Sequence, residues 1–220
     1  MNKPTIFFDL DGTILDVSER IFKVYKDILK NKNKNHLSFK RYLMLKKNKV
    51  PLLEILKATR AEDILPYYKK EWDKLIEKPS YLELDQVSNQ RKQALLSLKK
   101  DYQLILITLR NNSKELYSQL RKEEIDKIFD KILVSSRKSL DSEWRIKAEI
   151  LRRYKKIDKD SIIIGDTEIE ILTGKHLGIK TVAVVNKMRT KKILKELKPD
   201  ILIKDISELK NGILDLKISK

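Results

Sequence analysis

A chain of 220 residues can build one substantial core, or a core with a small second domain. It is 41% hydrophobic and 37% charged, a globular composition with no apolar run approaching a membrane span, and it has no cysteine, which excludes disulfides and thiolate sites. A formal net charge of +17 favours anionic partners, from phosphorylated metabolites to nucleic acid, although the lysines are scattered rather than gathered into one stripe. A background rich in Lys, Asn and Ile, visible in the run Asn31 to Asn35, accounts for that charge equally well. The N-terminus enters an apolar run within four residues, leaving no space for a signal peptide, so a cytoplasmic location is expected.

The first apolar run, Thr5 to Phe8, predicts a short buried strand that ends in Asp9-Leu10-Asp11-Gly12-Thr13. From Val17 to Lys99 no strand is evident. Val17, Ile21, Val24, Tyr25 and Ile28 recur at helical spacing, as do Ile64, Leu65, Tyr68, Trp72, Leu75 and Ile76, with Pro66 expected in a first turn or at a kink. The Asn/Lys run between these patterns reads as an exposed turn. A helix over Gln86 to Lys99 leads to a second strand, Leu104 to Ile107, entering Thr108.

Strands and helices then alternate. Leu116, Tyr117 and Leu120 mark a helix capped by Asn111, Asn112 or Ser113; Lys131 to Val134 a strand; Ile146, Ile150, Leu151 and Tyr154 a helix. Ile162 to Ile164 gives a strand ending at Gly165-Asp166, and a helix from Ile169 is expected to stop near Gly178. Thr181 to Val185 and Ile201 to Ile203 supply the last strands. Near-continuous apolar strands separated by helices predict an α/β fold: a Rossmann-like parallel sheet with helices on both faces and a helical insertion after the first strand. Residues 1–16 and 91–220 are expected to form the core and residues 17–90 the insertion.

Ligands of open α/β sheets bind beyond the carboxyl ends of the strands. Asp9 and Asp11, Thr108 and Asp166 all stand at such ends, so two acidic segments and a hydroxyl are expected to share one crevice, with Glu170 one helical turn beyond Asp166. Paired acids at a strand end are costly without positive charge between them, and a divalent metal with a phosphoryl group would supply it. His36 and His176 offer no ligand pair, and Trp72 and Trp144 read as packing anchors.

These residues resemble the haloacid dehalogenase superfamily, in its phosphatase branch with a helical cap, of the phosphoglycolate phosphatase kind. Asp9 to Thr13 match the motif D-x-D-G-T, Thr108 the Ser/Thr at a strand end, and Gly165, Asp166 and Glu170 the motif G-D-x-x-x-D with a longer last acid. Lys147 to Arg152 resemble the helix that carries the family's lysine; Lys138 and Arg137 are the alternatives for that cation. The resemblance covers approximately residues 4–16 and 100–205 and reaches the insertion only in position and helical character.

By that resemblance Asp9 is a nucleophile that forms an aspartyl-phosphate, Asp11 the acid and base, and Lys147 the cation holding Asp9. Thr108 and the backbone N–H groups of Leu109 and Arg110 would bind the phosphoryl group, while the Arg110 side chain either reaches substrate or faces solvent. Asp9, the Asp11 carbonyl and Asp166 would hold Mg²⁺, with Glu170 acting through water. The resemblance implies a small phosphorylated substrate, closed over by the insertion. Nucleotide or nucleic-acid-end dephosphorylation, phosphoryl transfer as a mutase, and a basic nucleic-acid-binding protein without turnover are the other readings. Dehalogenation is disfavoured because it requires neither Asp11 nor the metal. No membrane partner is expected, and the sequence leaves the oligomeric state open.

Overall fold

In the computed structural model, residues 3–134, 142–154 and 157–218 are described. Six parallel strands form one sheet: β1 (Thr5–Phe8), β2 (Gln103–Thr108), β3 (Lys131–Val134), β4 (Ile162–Gly165), β5 (Lys180–Val184) and β6 (Ile201–Ile203). Their order is β3-β2-β1-β4-β5-β6, so the chain reverses direction across the sheet between β1 and β4. Ligand crevices of open α/β sheets form where the order reverses. The register sets Phe8 against Leu106 on one side and Ile164 on the other, which brings the ends of β1, β2 and β4 level.

Alternate strand residues feed two cores, as the period of a strand requires. Ile6 and Phe8, Leu104 and Leu106, and Ile162 and Ile164 pack on one face, with Leu95 and Leu98 of α6 (Asn89–Lys99) and Leu116 and Leu120 of α7 (Ser113–Lys122). Phe7, Ile105, Ile107 and Ile163 pack on the other with Leu151 of α8 (Glu143–Tyr154). Ile171 of α9 (Glu168–Leu177) and Leu194 of α10 (Lys191–Glu196) cover Ala183 of β5. The last helix, α11 (Leu209–Ile218), follows β6. α7 begins at Asn112, whose side chain accepts from the Glu115 N–H, and α9 ends at Gly178 in a left-handed conformation, φ +68°.

Between β1 and α6 the described chain is helical: α1 (Ser18–Lys30), α2 (Phe39–Lys47), α3 (Leu52–Lys57), α4 (Leu65–Leu75) and α5 (Pro79–Leu82). Pro66 lies in the first turn of α4, where its missing N–H costs nothing. The sequence pattern discloses α1 and α4 but not α2, α3 or α5, which have nine residues or fewer and bury too few side chains to show a period. The insertion is anchored by aromatic packing: Tyr25 stacks on Tyr42 with centroids 4.3 Å apart, and Tyr68 stacks on Trp72 at 5.8 Å. Its two crossings to the sheet are paired, Asp16 N–H to Gln86 O at 2.8 Å and Gln86 N–H to Asp16 O at 3.2 Å. No described helix is long and apolar enough to cross a membrane.

Candidate active site

The segment after β1 supplies the floor of the site. The Asp9 N–H donates to Ile164 O at 3.0 Å, which extends the β1–β4 pairing one residue and fixes where the Asp9 side chain emerges. Gly12 then turns the chain at φ +88°, and a Cβ there would lie 2.1 Å from Asp166 Oδ2, so only glycine lets this turn approach the end of β4. Gly165 does the same for α9: a Cβ would stand 2.1 Å from Glu170 Cγ.

These close approaches gather two buried carboxylates on one ammonium, with a third, Asp166, beside Asp9. Lys147, in α8, donates to Asp9 Oδ1 at 2.5 Å and to Glu170 Oε1 at 2.6 Å. The second oxygen of Glu170 accepts from the Thr167 hydroxyl at 3.0 Å. The Thr13 hydroxyl stands 3.2 Å from Asp9 Oδ2 and 3.4 Å from Asp166 Oδ1, so it faces both acids at once. Asn186, after β5, donates to Asp166 Oδ2 at 3.0 Å and to the Gly12 carbonyl.

The charge in this cluster does not balance. Fully ionised, Asp9, Asp166 and Glu170 would set three negative charges against the one positive charge of Lys147 among the described residues. Burial, assisted by the neighbouring Glu170 and Asp11 and opposed by Lys147, pushes the Asp9 carboxyl up to about 7. Burial and the proximity of Asp9 and Glu170 raise Asp166 well above the carboxylate range. Burial draws the Lys147 ammonium down, but Asp9 and Glu170 outweigh it, so the lysine is held more firmly protonated than usual.

No three His, Asp or Glu side chains among the described residues already stand as a preformed metal cluster. The donor set nevertheless fits a hard divalent cation. Its oxygens are those of Asp9 and Asp166, converging on Thr13, and its excess charge is two negative when all three acids are ionised.

Asp11 belongs to a second cluster. Arg110 donates through Nε to Asp11 Oδ2 at 2.9 Å and through Nη2 to Oδ1 at 2.5 Å, and Arg20 Nη2 donates to Oδ1 at 2.6 Å. The Arg110 side chain therefore does not face solvent; it is 3% exposed. Thr108 and Leu109 line the same cavity, with the Arg110 N–H 3.4 Å from the Thr108 hydroxyl. Arg137 and Lys138 lie outside the described residues. His176 packs edge-on to Trp144, and Trp72 stands in the cavity wall.

The cavity has a volume of about 600 Å³ and separates the sheet ends from the insertion, which contributes Tyr42, Lys46, Tyr68 and Trp72 to its wall. Asn186, Arg20 and Lys46 escape sequence reasoning. Thr13 was legible as part of D-x-D-G-T, but nothing in the pattern distinguishes these three from the chain's many polar residues.

The haloacid dehalogenase-like hydrolase family matches residues 6–184 of the chain. The chain belongs to that family. It is a hydrolase on the family's six-stranded parallel sheet. It is 24% identical over 241 aligned positions to a protein of Caldanaerobacter subterraneus subsp. tengcongensis named "Putative pyrophosphatase PpaX", covering 95% of this chain and 94% of that one. Among solved structures it resembles the haloacid dehalogenase-like family protein SP0104 of Streptococcus pneumoniae, with a TM-score of 0.76, 22% identity and coverage of 94% and 96%. It also resembles a structure from Haemophilus somnus titled "predicted phosphoglycolate phosphatase", with a TM-score of 0.73, 20% identity and coverage of 100% and 99%.

Proposed function

We propose that this hydrolase is a Mg²⁺-dependent phosphatase that cleaves a small phosphorylated substrate through an aspartyl-phosphate on Asp9. The observation that carries the reading is the placement of Asp9: one oxygen is held by Lys147 at 2.5 Å while the other faces Asp166 across the Thr13 hydroxyl. A carboxylate oriented by a buried ammonium at the mouth of a cavity is arranged to act as a nucleophile. Asp9, Asp166 and the Asp11 carbonyl would hold Mg²⁺, which supplies the charge that lets a carboxylate approach a phosphate dianion.

In this reading an Asp9 oxygen bonds to phosphorus as the ester P–O bond breaks, and the departing oxygen takes a proton from Asp11. Asp11 then accepts a proton from the water that cleaves phospho-Asp9. Inorganic phosphate leaves, and Asp9 and protonated Asp11 are restored. Thr108 and the N–H groups of Leu109 and Arg110 bind the equatorial phosphoryl oxygens where charge develops. Glu170 touches Lys147 and Thr167, so its role is to hold the lysine rather than to meet substrate.

The core then comprises residues 1–16 and 91–220, and residues 17–90 form a cap that closes the cavity. A volume of about 600 Å³ accommodates a small molecule rather than a polymer, which favours a metabolite over a nucleic-acid end. The absence of cysteine agrees with a cytoplasmic setting.

Hydrolysis of phenyl phosphate with Mg²⁺ tests the proposal. Asp9→Asn should abolish phosphate release while the circular-dichroism spectrum and melting transition persist, and EDTA should silence the parent protein. Undiminished turnover in Asp9→Asn would overturn the nucleophile assignment.

A further inference from the structure

Asp11 is held by a buried network that extends well beyond the reacting groups. Arg20 lies in the first turn of α1, just after the chain leaves the sheet, and Asp85 lies just before the chain returns, next to Gln86 of the paired crossing. The two meet there, Arg20 Nε to Asp85 Oδ1 at 2.9 Å. Arg20 spends its other nitrogens on Asp11 Oδ1 at 2.6 Å and on the Ile76 carbonyl at 3.0 Å. The second oxygen of Asp85 accepts from Gln119 at 2.9 Å and from Arg110 at 3.3 Å, and Arg110 returns to Asp11.

Among the described residues the network sets two guanidiniums, those of Arg20 and Arg110, against the carboxyls of Asp11 and Asp85. Three of its four charged side chains are almost wholly buried, while that of Asp11 is 30% exposed at the cavity. A buried ion cluster is no more stabilising than well-packed apolar residues of the same volume, so stability alone does not account for it. What the cluster supplies is orientation. A proton-transferring carboxylate must be kept within roughly 0.5 Å of its working position, and an aspartate on a turn is otherwise free to rotate about its side-chain bonds.

We propose that Arg20 and Asp85 are positioning residues for Asp11, and that they tie its orientation to the seating of the insertion. This inference rests on the phosphatase reading and on Asp11 as its acid. Arg20 belongs to the insertion and Arg110 to the sheet, so a shift of the insertion withdraws one of the two guanidiniums from Asp11. Glu77, two residues beyond α4, strengthens the link. It accepts from the Asn111 N–H at 2.9 Å and the Asn112 N–H at 2.7 Å, which seats the insertion on the loop that carries Arg110.

The test is leaving-group dependence. Phenyl phosphate needs a proton for its departing oxygen, whereas dinitrophenyl phosphate departs as a stable anion and needs none. The full-length parent, Arg20→Met, Asp85→Asn and the conservative Arg20→Lys are assayed on both esters, with Asp11→Asn setting the scale. Arg20→Met and Asp85→Asn should each lower kcat/KM on phenyl phosphate by about tenfold or more beyond any loss on dinitrophenyl phosphate, a part of the roughly 100- to 10,000-fold that general acid catalysis contributes. Arg20→Lys should recover part of that difference. Both esters are read on one preparation, so incomplete folding cancels in the ratio.

Equal losses on the two esters, or no loss on either, would overturn the proposal. If the parent hydrolyses neither ester, the phosphatase reading fails and this inference falls with it. If Asp11→Asn does not move the ratio, the acid assignment fails and the inference again falls with it. If the parent and Asp11→Asn behave as stated and the ratio stays put in Arg20→Met and Asp85→Asn, the inference alone is wrong.

Discussion

The Lys147 ammonium sits 2.5 Å from Asp9 Oδ1 across 138 residues of sequence, and 2.6 Å from Glu170 Oε1. Replacing it by methionine keeps the length of the side chain and leaves three buried carboxylates without their described cation. Lys147→Met should reduce kcat by roughly 100-fold or more, as loss of a single buried donor to developing charge does. It should also cost about 3–5 kcal/mol of stability where the acids stay ionised. Urea unfolding at pH 8 and pH 5 checks this: the loss should be greater at pH 8, because burial raises Asp9 and Asp166 and at pH 5 these two shed their charge by taking up protons.

The same imbalance gives the metal-free parent a pH dependence with a definite sign. Burial raises the Asp9 carboxyl from 3.8 to about 7, so the folded protein holds a proton that the unfolded chain releases. The stability this contributes is complete below pH 3.8 and declines as pH rises through about 7. In chelator, the melting temperature should fall between pH 5 and pH 8, and Asp9→Asn should flatten that fall. Added Mg²⁺ should stabilise the parent more at pH 8 than at pH 5, since a cation competes with the proton for the same carboxylates. Glu168 runs the opposite way. Despite its burial, bonds from Arg189 and Lys49 lower it to about 2, and its contribution is lost only as pH drops through that value.

How much of this was legible in the sequence depends on the range of the forces involved. All six strands were, because each is a short apolar run, buried on both faces in β1 and β4 and only partly so in the edge strands β3 and β6. The Asp9, Asp11, Thr108 and Asp166 positions were, because a polar residue closing such a run must emerge at one edge of the sheet. Lys147 was legible by its place in a helix, although only the fold shows its two partners. Arg20 and Asp85 were not: they are 65 residues apart and meet only because Asp16 pairs with Gln86. The short helices α2, α3 and α5 were hidden too. Each buries only one or two side chains, Tyr42 in α2, Ile55 and Leu56 in α3 and Leu82 in α5, too few for a repeating face of their own.

Lys46, at the end of α2, makes no side-chain hydrogen bond or ion pair among the described residues, yet lines the cavity opposite the acids. Burial lowers its ammonium, with a further push from nearby Arg189. A lysine withdrawn from water, with Glu143 and Glu168 only partly offsetting its burial, is placed to meet an anion on the leaving portion of a substrate. Lys46→Met should raise KM by about tenfold for a compound whose leaving portion carries a carboxylate or a second phosphate, the worth of one charge-assisted hydrogen bond. The rise should exceed that seen on phenyl phosphate, whose leaving group is uncharged before cleavage. Steady-state kinetics on such compounds and on phenyl phosphate decides it, and an equal rise on all of them would remove Lys46 from substrate recognition.

Gly165 makes the last and most local test. A Cβ at this position would lie 2.1 Å from Glu170 Cγ and 2.3 Å from Cδ, so Gly165→Ala must displace a buried side chain rather than the tip of a mobile one. Overpacking of this kind typically costs about 1–3 kcal/mol. Here the displaced group also withdraws Oε1 from Lys147, so kcat should fall along with stability. Glu170→Ala removes the obstacle. If the clash with Glu170 is the cause, adding Gly165→Ala to Glu170→Ala should cost little more than Glu170→Ala alone, a coupling of about 1–2 kcal/mol between the two sites. Chemical denaturation of the two single variants and the double variant measures it. Strict additivity would mean that Gly165 serves the turn into Asp166 by its backbone rather than by making room for Glu170.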